Sequence, residues 1–305
     1  MGRMNRKTAL VRLDDELGRT PSSMVRRLAE GASSLLYRVA GEDFDERVRR
    51  VAEQRDHVDP FGFDVEWTKW ALLAVSVLYR HYFRVHVEGI GNVPPGRVLL
   101  IANHSGQVPI DGAVIAASLF YDADPPRAVR SMVEKWSQTL PFVSVFFTRC
   151  GQVVGVPENA RRLLEMDEAL LVFPEGTKGI SKPFSERYQL KEFGLGFMRL
   201  ALETRTPVVP IAVIGAEEQY INLGNIRTLA KALGMPVFPV VPQFLIPGAQ
   251  MPLPTRYRVY FGEPLHFEGD PDDEDAVIQA KVDIVRATIQ SMIIRGLKER
   301  RHIFW

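Results

Sequence analysis

Cysteine is almost absent from this sequence, since Cys150 is the one thiol among 305 residues. A single thiol cannot build an internal disulfide framework or a zinc site made of cysteines, and it fits a reducing compartment. Neither sign of charge is in excess, because 38 Lys and Arg face 37 Asp and Glu. The formal net charge of +1 gives no global basic field. We therefore expect no nucleic-acid partner.

Long apolar runs are missing as well. Mean hydropathy is −0.06, and no stretch reaches the roughly 20 apolar residues of a transmembrane helix, which excludes a polytopic membrane protein. Residues 1–12 are basic but have no apolar core, so we expect no secretory signal there. The remaining composition, 46% hydrophobic and 25% charged, is that of a folded protein with a sizeable core.

The length predicts about two structural units, and the residue pattern changes near residue 84. We predict an N-terminal helical segment over residues 1–84 and a mixed helix-and-strand domain over residues 85–305. The most apolar part of the first segment is Trp67–Phe83. Its aromatic ends and neighbouring cations are typical of a helix at a membrane surface. A helix buried against the main domain has the same composition, so both interpretations stay open.

After residue 84, short runs rich in β-branched residues alternate with helical patterns. The predicted strands are Arg84–Glu88, Val98–Ala102, Val129–Val133, Val153–Val156, Leu170–Phe173, Val208–Ile214 and Arg256–Phe261. Continuous apolar strands such as Val98–Ala102 indicate burial on both faces, and hence a sheet covered by helices. The pattern therefore predicts an α/β fold of about seven strands.

His104 stands out among the six histidines because it directly follows a buried strand, where α/β sheets bind ligands. Gly106 and Pro109 shape a tight loop after it, and Asp111 begins the next helix. In one interpretation the Asp111 carboxylate folds back onto the imidazole, fixes its tautomer and leaves the other nitrogen as a base. In the other, Asp111 only caps its helix.

A second polar loop follows another buried strand. Glu175 comes directly after that strand and its proline, and a buried carboxylate is costly unless it accepts hydrogen bonds. Lys178 in the same loop could pair with a phosphate, although the spacing of a P-loop is absent. A third candidate, Arg149, emerges from an apolar run, and an ion pair that holds its loop would account for it equally well.

Taken together, these stretches resemble the glycerolipid acyltransferase superfamily, also called lysophosphatidic acid acyltransferase-like or phosphate acyltransferase. Four blocks of the family are matched in order over about residues 85–220. The matching residues are Asn103-His104; Phe146, Phe147, Arg149 and Gly151; Phe173-Pro174-Glu175-Gly176-Thr177 with Lys178 in the place of Arg; and Pro207-Val208-Val209-Pro210-Ile211. The resemblance implies a mixed sheet of about seven strands flanked by helices.

The resemblance also implies the chemistry: a fatty acyl group moves from an acyl thioester to a hydroxyl of a glycerolipid, such as a lysophospholipid or a glycerol phosphate derivative. His104 would act as general base and Asp111 would hold its tautomer. The residues that would bind or position substrates are Asn103, Arg149, Glu175, Gly176, Thr177, Lys178 and Pro210. The donor would be acyl-CoA or an acylated carrier protein. No cofactor and no metal are implied.

One departure from the family pattern bears on the acceptor. Six residues separate His104 from Asp111, whereas the family has four. Relatives that act on neutral glycerides carry a longer block of this kind, so a mono- or diacylglycerol or another alcohol is the alternative acceptor. A lipid-binding membrane protein that has lost activity is a further alternative, against which His104 and Glu175 argue.

A lipid substrate would explain a membrane-contacting role for the N-terminal segment. Each methylene group left in water costs about 0.8 kcal/mol, so the enzyme should draw its lipid from a bilayer surface. We therefore expect a peripheral or monotopic protein at the cytoplasmic face of a membrane, with Trp67–Phe83 as the contact.

Overall fold

The computed structural model of the chain describes residues 23–55, 59–104, 108–135, 142–232, 238–247 and 249–305. Ten α-helices lie in these ranges, and Gly106, predicted to shape the loop after His104, lies outside them. The helices are α1 Ser23–Ala40, α2 Phe44–Glu53, α3 Val65–Val77, α4 Ile110–Tyr121, α5 Val143–Arg149, α6 Pro157–Glu165, α7 Thr177–Ile180, α8 Gly196–Thr204, α9 Arg227–Ala232 and α10 Asp275–Glu299.

Seven strands form one mixed sheet in the order β1-β7-β6-β2-β5-β3-β4. The strands are β1 His86–Glu88, β2 Val98–Ala102, β3 Val129–Val133, β4 Gln152–Val154, β5 Ala169–Val172, β6 Val208–Ile214 and β7 Arg258–Phe261. All neighbouring pairs are parallel except β6 and β7. The predicted α/β class and mixed seven-stranded sheet flanked by helices are confirmed.

The central strand β2 explains how the sheet is covered. All five of its residues are buried. Val98, Leu100 and Ala102 pack into one apolar cluster, and Leu99 and Ile101 pack into a second one on the opposite face. This alternation follows from the two-residue period of a strand. Helices α2, α3 and α4 contribute to the first cluster, and α6, α8 and α10 contribute to the second.

The N-terminal helices share the first of these clusters with the sheet. Helix α3 is capped by Asp64, whose Oδ1 accepts the backbone N–H of Glu66 at 2.9 Å, and it continues into a π-helical turn at Leu78–Tyr82. Leu73 is buried, whereas Trp67 and Trp70 are exposed. Helix α3 therefore has one face on the core and two tryptophans on its outer surface. The division near residue 84 stays a prediction.

No helix among the described ranges is both long enough and apolar enough to cross a bilayer.

A buried cation ties the segment before α3 to the sheet. Arg130 in β3 is fully buried and binds Asp59 and, at 3.4 Å, Glu168. Its Nε donates to the carbonyl of Gly151 at 3.1 Å. Arg55 also binds Glu168, at 2.6 Å. Because charges removed from water must be paired, the two carboxylates depend on these guanidinium groups.

We expect Arg130→Ala to lower the free energy of unfolding by about 3–5 kcal/mol, since it leaves buried carboxylates without their partner. Urea unfolding measures this loss. The matched control is Arg97→Ala, which removes an exposed ion pair with Asp167 and should cost no more than about 1 kcal/mol. Equal losses in the two variants would contradict this account of the network.

Candidate active site

Two polar loops meet because β2 and β5 are parallel neighbours. Their register pairs Ile101 with Val172, so both strands end at the same edge of the sheet, where such folds bind ligands. His104 follows β2 and Glu175 follows β5. The backbone N–H of His104 donates to Oε1 of Glu175 at 3.0 Å. The structure thus brings together the two loops that the sequence singles out.

The imidazole of His104 is held on two sides. Its Nδ1 lies 2.8 Å from Oδ2 of Asp111, which is fully buried, and its ring stacks on Phe173 with 4.1 Å between the ring centroids. The other oxygen of Asp111 accepts the N–H of Gly112 at 2.8 Å, in the first turn of α4. The Asp111 carboxylate therefore binds both its own helix and the imidazole. Since Nδ1 donates to a carboxylate, we assign the proton-free position to Nε2.

Glu175 is buried, and its carboxylate is engaged by protein groups. Besides the His104 N–H, it accepts the backbone N–H of Lys191 at 2.8 Å and pairs with the Lys182 ammonium at 3.3 Å. Charge-assisted hydrogen bonds of this kind compensate a carboxylate for the loss of water. Glu175 therefore fixes the backbone at His104.

Lys182 lies between two buried carboxylates. It binds Glu175 on one side and Oε1 of Glu217 on the other, the latter at 3.0 Å. Glu217 also accepts the backbone N–H of Tyr188 at 2.9 Å. One ammonium shared by two carboxylates leaves an excess of negative charge. Burial raises the pKa of Glu217 to about 6, although Lys182 acts in the opposite direction.

The loop after Glu175 packs closely against His104. A Cβ atom added at Gly179 would lie 3.0 Å from the Cβ atoms of both His104 and Glu175 and 3.1 Å from the His104 carbonyl oxygen. Glycine at this position therefore allows the two loops to approach each other. Gly176, predicted to position the acceptor, begins the turn with φ +54°, and Thr177 follows it, half-buried, at the start of α7.

Asn103 and Pro210, both predicted to contact or shape the substrate site, lie inside the sheet. The Asn103 amide donates to the Val213 carbonyl at 3.1 Å and accepts the Val213 N–H at 2.8 Å, which joins β2 to β6 beyond their ladder. Pro210 pairs with Ile101 in the register of β2 and β6. A Cβ atom at Gly262 would lie 2.8 Å from Cγ of Pro210, so glycine makes room for the proline ring.

The two cations predicted to bind phosphate lie at the surface, each paired with an acid. Arg149 binds Asp64, the cap of α3, at 3.0 Å, and its side chain is 40% exposed. Lys178 binds Glu192 at 3.0 Å and is 65% exposed. No hydrogen bond or ion pair in the described part of the chain joins either cation to His104. Cys150, beside Arg149, is half-buried, and burial raises the pKa of its thiol to about 11, so it is protonated at neutral pH.

Three residues of this site have no role in the sequence interpretation: Phe173, Lys182 and Glu217. Phe173 stands inside a matched block, but nothing in the spacing shows that its ring stacks on His104. Glu217 follows the apolar strand β6 as Glu175 follows β5. The same argument about a carboxylate after a buried strand could have found it. Lys182 carries no such signal, because a lysine in a loop is usually solvated.

Comparison with known proteins identifies the family. The model of a family described as Acyltransferase matches residues 84–214. The chain is 37% identical over 256 residues to an uncharacterized protein of Mycobacterium leprae, an alignment that covers 81% of this chain and 70% of the relative. The chain belongs to the acyltransferase family. The predicted resemblance to the glycerolipid acyltransferase superfamily is confirmed, and His104, Asp111, Arg149, Glu175 and Pro210 all lie within the matched range.

More distant relatives of this acyltransferase have named activities. It is 26% identical over 161 residues to a probable 1-acyl-sn-glycerol-3-phosphate acyltransferase of Mycoplasma pneumoniae (50% of this chain, 58% of the relative). It is 23% identical over 227 residues to a DGAT1/2-independent enzyme synthesizing storage lipids of Gallus gallus (72% and 64%). The crystal structure of the 1-acyl-sn-glycerophosphate acyltransferase PlsC from Thermotoga maritima aligns with TM-score 0.48 and 18% identity (77% and 83%).

The burial of Glu217 predicts how stability depends on pH. The pKa of Glu217 is raised from 4.5 to about 6 in the folded protein, so the folded state binds this proton more tightly than the unfolded state. The free energy of unfolding should fall as pH rises through this window, by about 2 kcal/mol from this group.

Glu217→Gln should remove most of that fall, because a neutral amide does not titrate. Urea unfolding at a series of pH values from about 4 to 7 measures it. Glu192→Gln is the control, since Glu192 is exposed and bound to Lys178. A slope with pH that is the same in Glu217→Gln as in the wild type would contradict the assignment.

Proposed function

We propose that this acyltransferase moves a fatty acyl group from an acyl thioester to a hydroxyl of a glycerolipid, such as a lysophospholipid or a glycerol phosphate derivative, with His104 as general base. The observation that carries the proposal is the pair of His104 and Asp111, 2.8 Å apart at the end of β2. The pairing orients one ring nitrogen and leaves the other for the substrate. Phe173 fixes the ring plane from the side.

In the proposed reaction, Nε2 of His104 takes the proton of the acceptor hydroxyl while its oxygen attacks the thioester carbonyl carbon. The buried Asp111 carboxylate stabilises the imidazolium that forms. When the carbon–sulfur bond of the tetrahedral intermediate breaks, the leaving thiolate receives the proton from Nε2. Protons and charges balance without a serine or cysteine nucleophile. The protonated thiol of Cys150 takes no part.

The donor in this proposal is an acyl thioester of coenzyme A or of a carrier protein. Arg149 and Lys178 are suited to the phosphate groups of that thioester. Each side chain has exposed N–H groups and is bound to a single carboxylate. Exposed ion pairs of this kind are weak, at about 0–1 kcal/mol, so a phosphate can replace the carboxylate. We propose no cofactor and no metal.

The second candidate acceptor is a neutral glyceride or another alcohol. Two observations favour it: the six-residue spacing from His104 to Asp111, and the similarity to a storage-lipid enzyme over 72% of this chain. In that case Arg149 would serve the phosphates of the donor alone.

Loss of the base should slow transfer strongly. We expect His104→Ala to lower kcat by about 10²–10⁴-fold, the usual contribution of a general base, with acyl transfer measured from radiolabelled acyl-CoA. Asp111→Asn should also lower kcat, because the amide does not hold the same tautomer. The control is His266→Ala, which removes an exposed histidine. Unchanged turnover in His104→Ala, or no transfer by the wild type to any glycerolipid, would overturn the proposed mechanism.

The acceptor classes are distinguished by product identification with separate phosphate-bearing and neutral acceptors. If Arg149 binds the acceptor phosphate, Arg149→Ala should raise KM for lysophosphatidic acid about tenfold or more and leave KM for monoacylglycerol unchanged. If Arg149 binds the donor, KM for acyl-CoA should rise with every acceptor. Transfer to neutral glycerides alone would contradict the phosphate-bearing acceptor.

We propose that the enzyme works at the cytoplasmic face of a membrane as a peripheral or monotopic protein. Trp67 and Trp70 on α3 are exposed, as are Phe142 and Phe146 at α5. Helices α3 and α5 are joined where Thr68 donates to the Arg149 carbonyl at 3.2 Å. The exposed aromatic side chains of α3 and α5 support a lipid contact at these two helices.

A further inference from the structure

A stretch without acidic residues lies against the loop that follows Glu175. Residues 219–257 contain no Asp or Glu, whereas the whole chain has 37 in 305 residues, about one in eight. The charged residues of the stretch are Arg227, Lys231 and Arg256. It runs between β6 and β7, and we call residues 219–257 the arm. Its depletion in acids, with cations retained, makes it complementary to an anionic surface.

Residues 233–237 and 248 of the arm lie outside the described ranges, and in the rest of it the two sides are hydrogen-bonded to each other. The N–H of Leu223 donates to the Val240 carbonyl at 2.9 Å, the Val240 N–H donates to Gly224 at 2.8 Å, and the Ile226 N–H donates to Phe238 at 2.9 Å. These bonds fix which side chains face outwards, so the exposed residues form a built surface.

Large apolar side chains occupy the outer surface of the arm. Ile221 and Leu223 are exposed while Asn222 between them is buried, the alternation expected of an extended segment with one outward face. On the other side, Leu245 is 82% exposed and Ile246 is 56% exposed. Further exposed apolar residues of the arm are Ile226, Leu229, Phe244 and Met251. A concentration of this kind marks an interaction surface.

The inner side of the arm contacts the loop that follows Glu175. Asn222 donates to the Lys182 carbonyl at 3.0 Å, and Asn225 donates to the Ser181 carbonyl at 2.6 Å. Asn222 and Tyr220 of the arm also line a small depression together with Gly179 of that loop. Gly179 packs against His104. The arm therefore contacts the same loop that packs against His104.

The loop under the arm adds little free negative charge, because its acids are bound to lysines. The pairs are Glu175–Lys182, Glu186–Lys191 and Glu192–Lys178. An anionic bilayer would thus meet an apolar surface that carries the exposed Lys231 and lies beside carboxylates already paired with lysines.

We propose that the arm docks the protein on an anionic lipid bilayer, with Leu223, Leu245 and Ile246 inserted among the headgroups. Apolar insertion and attraction of cations to anionic lipid are the two contributions to binding at an interface. A symmetric contact between two copies would instead place the cations of one arm opposite those of the other. The inference rests on the proposed function only for the lipid nature of the acceptor, since docking itself needs no turnover.

Docking is tested with the full chain and vesicles of phosphatidylcholine, with and without phosphatidylglycerol, in a flotation assay. We expect the wild type to float with the anionic vesicles and to release as salt is raised. Leu245→Glu/Ile246→Glu should lower the partition coefficient about tenfold or more, because it removes apolar insertion and adds repulsion.

The matched control is Val277→Glu/Ile284→Glu on α10, which replaces two aliphatic residues that are 45% and 52% exposed. It introduces the same charge and should float like the wild type. Circular dichroism and urea unfolding check that both double variants are folded. Equal flotation of the arm variant and the wild type would overturn the proposal, as would binding lost only in Trp67→Glu/Trp70→Glu.

Two further measurements distinguish a lipid surface from a second copy of the chain, and docking from catalysis. A dimer in sedimentation equilibrium that the arm variant dissociates would assign the surface to a second copy and overturn the proposal. In the transfer assay, the arm variant should lose activity on acceptors embedded in vesicles and keep it on dispersed short-chain acceptors. If the wild type floats through the arm but transfers no acyl group, docking stands and the proposed function fails.

Discussion

The burial of one negative charge, on Glu175, is the constraint on which the site depends. A buried carboxylate after a parallel strand needs hydrogen-bond donors, and here three groups supply them. The first is the backbone N–H of His104, in the loop after β2. The other two, the backbone N–H of Lys191 and the ammonium of Lys182, lie farther along the loop of Glu175 itself. The need to satisfy Glu175 therefore joins two loops that are distant in sequence. The position of the imidazole follows from that junction.

The cations of the protein divide into two groups by burial. Arg130 and Lys182 are buried with carboxylates, and each connects segments that the sheet alone would leave apart. Arg149 and Lys178 are paired at the surface, where water screens the interaction. Because exposed pairs exchange partners at little cost, the second group can bind other anions, as the proposed role in phosphate binding requires. The near-zero net charge of the chain conceals this division.

Much of the fold could be predicted because the strands are continuous apolar runs, and such runs are distinctive when a parallel sheet is covered on both faces. The pair of His104 and Asp111 is a local contact, so the sequence could offer it as one of two interpretations, and the structure shows that Asp111 contacts both the imidazole and its own helix. The sequence could not show that Asn103 completes the contact between β2 and β6, because Val213 lies 110 residues away. The hydrogen bond from the His104 N–H to Glu175 could not be predicted for the same reason, because 71 residues separate the two. Contacts between distant segments depend on topology, which residue spacing does not encode.

The antiparallel pairing of β6 and β7 has a consequence for how this protein can change. Two residues suffice to connect antiparallel neighbours, so the sheet does not require residues 219–257. The stretch also has a closed base: Thr255 donates to the Gly215 carbonyl at 2.9 Å, and Tyr257 donates to the side chain of Gln219 at 2.8 Å. We expect changes beyond that base to leave the register of β6 and β7 intact, provided that the contacts of Asn222 and Asn225 with the loop after β5 are kept. Under the proposed docking, this connection is the part of the chain in which evolution or design could alter membrane preference without rebuilding the sheet.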